Sequence, residues 1–589
     1  MKLCKIYSNK AFHDVSFSNG LNVIIGSMSN RNDHEKDAHN LGKSLLLEVI
    51  DFLLLKEVKN KRKFFLTKNE IFFDYIFFAE IELNSGQFLI IRRAVENNTK
   101  ISFKISKTKL KNFDTNIGNW DKVELSLRKA KNYLNTSLAF NVLPVWEYRQ
   151  SLNYFMRHQE DFTDVFKLSK FQGPHRYWKP MVFDLLGFNG LLLKEKFKLE
   201  ESRQKLKDKI EILETENKVS KNDEDKIRGL IDIKKDELLS VSLQVDKFNF
   251  NESDNKEKTI LVDEIENSIR VLNTRHYAIK YEISKIEKSL EIGVDNINMK
   301  EISSIYKEVE IFLPNKLLTE FEKVIEFNKS ITHERNQFLQ ENLSVLQVEN
   351  IGLEASLTRL EETKSTMLVD LTDKDSYAKF KKYQKQLSKI EVEVIIFEDK
   401  LRNISEISQM EGKLSSFSDI IKAKVFELNL AISQQHHKEI RKLFNQFTTK
   451  ILNTPAILSV KTNKENNIEF EVEYQSKDSF SSSDLASGNT YKKILCAAFD
   501  VSLLQRYYDK SFYRFTYHDG VLDSLDIRKK ENYIEFVRNL VKEFNVQYII
   551  TTIESEINQL KGAFSITNDE ICLTLSDESY GGKLFKQEF

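Results

Sequence analysis

At 589 residues the chain is longer than one compact domain, which predicts two or more structural units. Lys plus Arg and Asp plus Glu each total 89; the zero formal charge excludes a global pull toward nucleic acid and leaves that to local patches. Charged residues at 30% with only five prolines argue against a loop-rich sandwich or barrel and for long helices.

Met1 to Lys10 holds no apolar core of signal-peptide length, and no apolar run of about 18 residues occurs, so a soluble, cytoplasmic protein with no membrane partner is expected. Cys4, Cys496 and Cys572 lie far apart among apolar neighbours, with no CxxC pair. Buried, reduced thiols are expected there rather than a zinc site or a disulfide framework.

Residues 1–190 read as mixed α/β. The apolar run Leu21 to Ile25 with Gly26 reads as a strand, and Asn40-Leu41-Gly42-Lys43-Ser44 follows it, opening a helix over Leu45 to Leu55. A strand, a Gly-containing loop and GK[ST] at a helix start form a phosphate-binding loop in its proper context. Backbone N–H groups would wrap the phosphates, Lys43 would reach the β/γ oxygens, and the Ser44 hydroxyl would ligate Mg2+. The loop is longer than the usual GxxxxGK[ST]. Its extra residues, Ser27 to His39, form either a solvated bulge or a loop touching nucleotide, partner or DNA.

Phe72 to Leu83 and Gln87 to Val95 read as strands joined by a turn at Asn84-Ser85-Gly86, and Lys100 to Ser106 continues the pattern. Two stretches are locally basic: Lys56, Lys59, Lys61, Arg62 and Lys63, then Lys100, Lys104, Lys107, Lys109 and Lys111. The second could line a strand face and meet nucleic-acid phosphates, or simply be solvated edge-strand lysines that discourage aggregation.

From about Leu191 apolar residues fall into heptads. Ile265, Ile269, Leu272, His276, Ile279, Ile283, Ile286 and Leu290 alternate four and three apart, as do Tyr383, Leu387, Ile390, Val394, Phe397, Leu401 and Ile404. Such a seam belongs to a coiled coil rather than to a globular helix face. Glu214 to Asp225 and Phe248 to Lys256 should break it, and Gly293 to Pro314 is the expected reversal, pairing residues near 195–292 with 315–440. The implied division is a first head lobe at 1–190, an arm at 191–440 and a second lobe at 441–589. His436 and His437, late in the returning helix, read as surface residues.

After Leu443 the α/β texture returns, with strands at Ala456 to Val460 and Ile468 to Tyr474. A helix at Tyr491 to Tyr508 follows, then strands near Phe515 and Tyr548. Phe515-Thr516-Tyr517-His518-Asp519 is an apolar strand ending in an acid that could hold Mg2+. Leu485-Ala486-Ser487-Gly488-Asn489 precedes a helix and could contact a γ-phosphate across a dimer interface, or be an ordinary helix cap. Asp523-Ser524-Leu525-Asp526 could be a further site loop or a helix-capping loop.

In this order, the pieces resemble the SMC family and its relatives among the DNA-repair ABC-type ATPases. Leu485 to Asn489 corresponds to the family signature, Asp519-Gly520 to its Asp-Glu pair and Leu525-Asp526 to its D-loop. Arg149-Gln150 stands where the family places its Q-loop, and Ile90-Ile91-Arg92-Arg93 is similar to the head strand ending in arginine. Asp184-Leu185-Leu186-Gly187 is similar to the segment from which the outgoing coil starts. The loop His39 to Ser44, His518-Asp519-Gly520 and the ending Asp577 to Phe585 resemble short bacterial SMC-like ATPases, several of them encoded in multi-component or antiviral defence loci. The coil resembles the family in type only.

The resemblance implies an α/β ABC-type ATPase head assembled from N- and C-terminal lobes, with an inserted long antiparallel α-helical coiled coil. It implies ATP and Mg2+ as cofactors. The nucleotide would be held by Gly26, Asn40, Gly42, Lys43, Ser44 and Gln150, with Leu485, Ser487, Gly488, Asn489 and Asp526 completing the site. Ser44, Gln150 and Asp519 would face Mg2+. Three positions depart from the family: Gly520 replaces the catalytic Glu, Thr552 the switch His, and Ala486 the signature Ser unless Ser487 takes over. Loss of a general base costs about 10²–10⁴-fold in rate. His518, being next to Asp519, is the first candidate to substitute for it, ahead of Asp523 and Glu554.

The functional reading is an ATP-binding homodimer, joined through its heads, that senses or clamps double-stranded DNA without sequence preference. It would control accessory and effector subunits in genome maintenance or anti-phage defence. The alternative is a slow- or non-hydrolysing regulatory subunit that restrains a separate nuclease effector. A plain coiled-coil scaffold with a degenerate head is the third reading.

Overall fold

The computed structural model describes the chain except for residues 28–40, 59–67, 111–118, 172, 218–219, 247–255, 292–315, 369–373, 475–488, 524 and 588–589. It divides into two compact units: Met1–Glu200 with Ile420–Phe589, and Glu201–Asp419.

The first unit is an α/β head. In chain order its strands are β1 (Lys2–Ser8), β2 (Val15–Ser16), β3 (Leu21–Ser27), β4 (Ile76–Glu82), β5 (Phe88–Ala94), β6 (Lys100–Ser106), β7 (Lys122–Ser126) and β8 (Met156–Arg157). After the inserted unit come β9 (Ala456–Thr462), β10 (Ile468–Tyr474), β11 (Phe515–Asp519), β12 (Gln547–Ile553) and β13 (Ile571–Ser576). Among the described residues, one sheet has the order β2-β1-β4-β5-β6-β7 and comes wholly from the first lobe. The second has the order β13-β3-β12-β11-β8, every pairing parallel, and interleaves strands from both ends of the chain.

The strand sequences explain the second sheet. Leu21, Val23, Ile24 and Ile25 of β3 and Tyr548, Ile549 and Ile550 of β12 are buried regardless of face. Strands apolar on both faces suit a parallel sheet covered on both sides. The helix Lys43–Leu53 covers one side, packing against β3 and β11 and also against β4 and β5 of the other sheet. It buries Leu46, Leu47, Val49, Ile50, Phe52 and Leu53. Arg93, at the expected arginine strand end, is a structural residue: it stacks 4.0 Å over Phe52 and donates to the Lys56 and Asn98 carbonyls.

A charged pair lies deep in this core. Arg157 donates from Nε and Nη2 to the two Asp500 carboxylate oxygens, each at 2.7 Å, and both side chains are fully buried. The remaining guanidinium hydrogens go to the carbonyls of Asp161, Asp164 and Val165. This fork ties β8 to the helix Asn489–Arg506.

The second unit is helical and carries the expected heptads. Helix Lys256–Glu291 runs antiparallel to Lys316–Leu368, through Glu266–Lys364, Arg275–Glu349 and Ser289–Arg335. Helix Glu224–Asp246 runs antiparallel to Lys374–Ser433, with Lys235 on Glu398 and Val241 packed among Leu387, Ile390 and Val394. His276, in its seam, bonds Glu354. The expected break after Glu214 is present: the helix ends at Asn217, and a capping box at Ser220 and Asp223 opens the next one. The stretch Gly293 to Pro314, and most of Phe248 to Lys256, lie outside the described residues.

One feature departs from a straight hairpin. Arg270 and Thr274 both reach Glu391, while Lys381 pairs with Glu361. The pair Lys256–Glu291/Lys316–Leu368 therefore lies back along the pair Glu224–Asp246/Lys374–Ser433. Leu238, Val271, Ala278 and Val394 line a groove of about 560 Å³ between them. A heptad seam shows that a helix has a partner but does not name it, which is why the sequence suggested a single out-and-back coil.

Two smaller readings are corrected. Phe72 ends the short helix Asn69–Phe72 rather than starting a strand. His437 is buried against Phe188 and bonded to Arg441, and burial lowers its imidazole pKa to about 4. Cys4, Cys496 and Cys572 are free thiols pushed up to about 12 by burial. Among the described residues no helix is long and apolar enough to cross a membrane.

Removing one partner of a buried ion pair leaves the other charge uncompensated. Asp500→Ala is expected to lower the unfolding free energy by about 3–5 kcal/mol in denaturant titrations.

Candidate functional site

The site begins where β3 ends. Gly26 has no Cβ, and a Cβ built there would fall 2.8 Å from Lys43 Nζ and 3.3 Å from its Cδ. The lysine thus lies against the end of β3, in space that any side chain at position 26 would fill. Gly42 stands at the N-terminus of the helix with φ 102°, a left-handed conformation natural to glycine, and the first turn carries no acidic residue. An uncapped helix start with a lysine beside it is suited to an anion.

Gly42 is braced by the chain's last described segment. The Leu584 N–H donates to the Leu41 carbonyl at 3.1 Å, and His13 N–H donates to the Leu584 carbonyl. A Cβ at Gly42 would meet Leu584 Cβ at 2.7 Å. Phe585 follows, packed among Phe12, Phe72, Tyr75 and Phe77.

Opposite the helix start stands the acidic end of β11. Ser44 Oγ donates to Asp519 Oδ2 at 2.7 Å, and Thr551 Oγ donates to Asp519 Oδ1 at 2.5 Å. Thr551 Oγ also accepts the Gly520 N–H at 2.9 Å, and Lys493 donates to the Gly520 carbonyl at 3.2 Å. A hydroxyl and a carboxylate in contact are oxygen donors of the kind a hard cation such as Mg2+ takes, so Ser44 and Asp519 fit that ion.

Gly520 has φ 67°, and a Cβ there would fall 2.6 Å from Asp523 Oδ2 and 2.8 Å from Gln159 Nε2. Asp523 is half-buried, and its Oδ1 has no hydrogen-bond partner among the described residues. Burial pushes its carboxyl above the ordinary carboxylate range, opposed by Lys493 and Lys43 and reinforced by Glu556 and Asp519.

The structure brings together Gly26, Gly42, Lys43, Ser44, Asp519 and Asp523. His518 is not among them. It lies on the opposite face of β11 from Asp519, fully buried, with Nε2 3.0 Å from Asp500 and Nδ1 2.8 Å from the Tyr548 hydroxyl. Successive strand residues face opposite sides, so a neighbour of Asp519 in sequence is turned away from it in space. Burial also lowers the His518 pKa.

Gln150 is misplaced for the expected role. Its neighbours hold it at the far end of the helix Lys43–Leu53: Tyr148 Oη and Arg149 donate to the Leu54 carbonyl, and Arg149 pairs with Asp51. Ten residues of helix separate Leu54 from Ser44, about 15 Å. The glutamine at the acidic strand end is Gln159, just beyond β8, which sequence reasoning missed along with Thr551, Lys493 and Leu584.

Asp526 caps the helix Ile527–Phe544, accepting from the Lys529 N–H, and is exposed. Glu554 accepts from the Ser27 hydroxyl, and the Thr552 hydroxyl is buried without a partner among the described residues. Asn40, Leu485, Ser487 and Gly488 and the insertion at 28–39 lie outside the described residues; Asn489 starts its helix.

Residues 447–589 match the family DUF2326, described as an uncharacterised protein conserved in bacteria. Over 578 residues the chain is 23% identical to "Uncharacterized protein YydD" of Bacillus subtilis (strain 168), covering 91% of this chain and 90% of that one. Similar solved structures include the Smc head domain with coiled coil and joint from Pyrococcus yayanosii, 14% identical with a TM-score of 0.37, covering 93% and 92% of the two chains. The recombination mediator RecF bound to ATPrS is another, 11% identical with a TM-score of 0.29 and 97% coverage of both chains.

The close approach of Leu584 to Gly42 makes a double-mutant test. Gly42→Ala is expected to lower stability by about 1–3 kcal/mol from backbone strain and the clash together. In a Leu584→Gly background, which removes the Cβ that a side chain at 42 would meet, the penalty should shrink, a non-additivity that thermal denaturation of the four proteins would read.

Proposed function

We propose that this chain is an SMC-like ATP-binding protein whose nucleotide site is closed by both ends of the chain. The observation that carries this reading is the Ser44–Asp519 hydrogen bond at 2.7 Å. It joins the start of the helix that follows β3 to the acidic end of β11, with β12 between the two strands. Lys43 would neutralise the β/γ-phosphates, the N–H groups of Gly42 to Ser44 would wrap them, and Ser44 and Asp519 would hold Mg2+. Bound Mg2+ supplies charge neutralisation between the phosphates.

In the full reading, two heads face each other as a homodimer, with Leu485 to Asn489 of one completing the site of the other. The helical unit and accessory or effector subunits would respond to ATP, in the cytoplasm, in genome maintenance or anti-phage defence. Double-stranded DNA is the proposed polymer ligand, held through phosphates. Of the second basic stretch, Lys104 is engaged by Asp121 at 2.8 Å and Lys109 lies near Phe88. Lys100 and Lys107 are exposed and carry the expected contact.

A slow- or non-hydrolysing regulatory subunit is the second reading, favoured by the missing side chain at Gly520. ATP binding and turnover of purified protein, with and without double-stranded DNA, separate the two. A lysine–phosphate hydrogen bond is worth about 1.5–3 kcal/mol, so Lys43→Ala should weaken ATP binding about 10- to 150-fold. Unchanged ATP affinity in that variant would contradict the proposed site. DNA-stimulated turnover supports the clamp, and tight binding without turnover supports the regulatory subunit.

A further inference from the structure

Gly520 stands where a general base would be expected, yet the space beside it is already occupied. The point where its Cβ would lie is 2.6 Å from Asp523 Oδ2 and 2.8 Å from Gln159 Nε2. Its φ of 67° also disfavours any side chain. A glutamate at 520 would have to displace a carboxylate and an amide that converge there from two other segments. Asp523 reaches back from the turn after β11, and Gln159 comes from the end of β8. Both flank Asp519, whose carboxylate already holds Ser44 and Thr551.

Resting on the reading of this cleft as an ATP site, we propose that Asp523 is the general base for ATP hydrolysis, with Gln159 orienting the attacking water. The chain has moved the carboxylate from position 520 to position 523 rather than lost it. Asp523 is suited to the task because its Oδ1 is buried with no hydrogen-bond partner among the described residues, which leaves its acceptor capacity unspent. Lys493 donates to the Gly520 carbonyl, so a cation borders the point where the Asp523 carboxylate converges. His518 is excluded by its burial on the opposite face, and Glu554 is engaged by Ser27.

In the step, the water oxygen forms a bond to the γ-phosphorus as the bond from that phosphorus to the β,γ-bridging oxygen breaks. The bridging electron pair leaves with ADP. The water proton passes to the Asp523 carboxylate and from there to solvent, releasing phosphate. No oxidant or further reactant is needed.

The test measures ATP affinity and steady-state turnover of full-length protein for wild type, Asp523→Asn, Asp523→Glu and Gly520→Glu. Asp523→Asn should bind ATP with wild-type affinity and lose about 10²–10⁴-fold in turnover. Asp523→Glu, which keeps a carboxylate, should retain more turnover than Asp523→Asn. Gly520→Glu restores the family residue yet should lower turnover, because it displaces Asp523 and Gln159. Wild-type turnover in Asp523→Asn, raised turnover in Gly520→Glu, or loss of ATP binding together with turnover in Asp523→Asn would each overturn the proposal. So would a wild-type protein that binds ATP without hydrolysing it. A wild-type protein that does not bind ATP fails differently, by removing the site itself.

Discussion

The parallel sheet closes only when strands from the two ends of the chain interleave, and every feature of the site depends on that closure. Ser44 and Asp519 are 475 residues apart in sequence and 2.7 Å apart in space. β3 ends at Ser27, β11 ends at Asp519, and β12 lies between them, its Thr551 bonded to Asp519. Neither lobe holds the cluster alone. The same constraint allows a helical unit to be inserted in sequence between the lobes without disturbing the order of strands.

β11 serves two environments through the alternation of its side chains. Asp519 faces the site, while His518 faces a buried network of Asp500, Tyr548 and Tyr533. Asp500 belongs to the helix that begins directly after the signature-like segment, and its other contact is Arg157 on β8. The acid-bearing strand, the strand leading to Gln159 and the helix Asn489–Arg506 are therefore fastened to one carboxylate. The network is apolar-packed and closed to solvent, which favours a fixed geometry at the strand ends over a mobile one.

Much of this was legible in the sequence because the signals were periodic or local. The apolar runs of β3, β11 and β12, the GKS tripeptide at a helix start and the heptads all follow from side-chain period and hydrogen-bonding needs. The placement of His518 was legible too, since strand alternation turns it away from Asp519, but adjacency in sequence suggested otherwise. Gln159 was not legible: β8 is only Met156–Arg157, too short to show a period, and nothing local marks the residue two positions beyond it. The folding back of one helix pair on another and the bracing of Gly42 by Leu584 depend on long-range packing that no local pattern encodes.

The central claim is that Ser44 and Asp519 jointly face the metal of a bound nucleotide. The most direct test is the Mg2+ dependence of ATP affinity, measured by calorimetry with Mg2+ and with EDTA, in wild type and Asp519→Asn. The account predicts that Mg2+ strengthens binding by wild type and that this gain is lost in Asp519→Asn. An Asp519→Asn protein with the full wild-type gain from Mg2+ would contradict it.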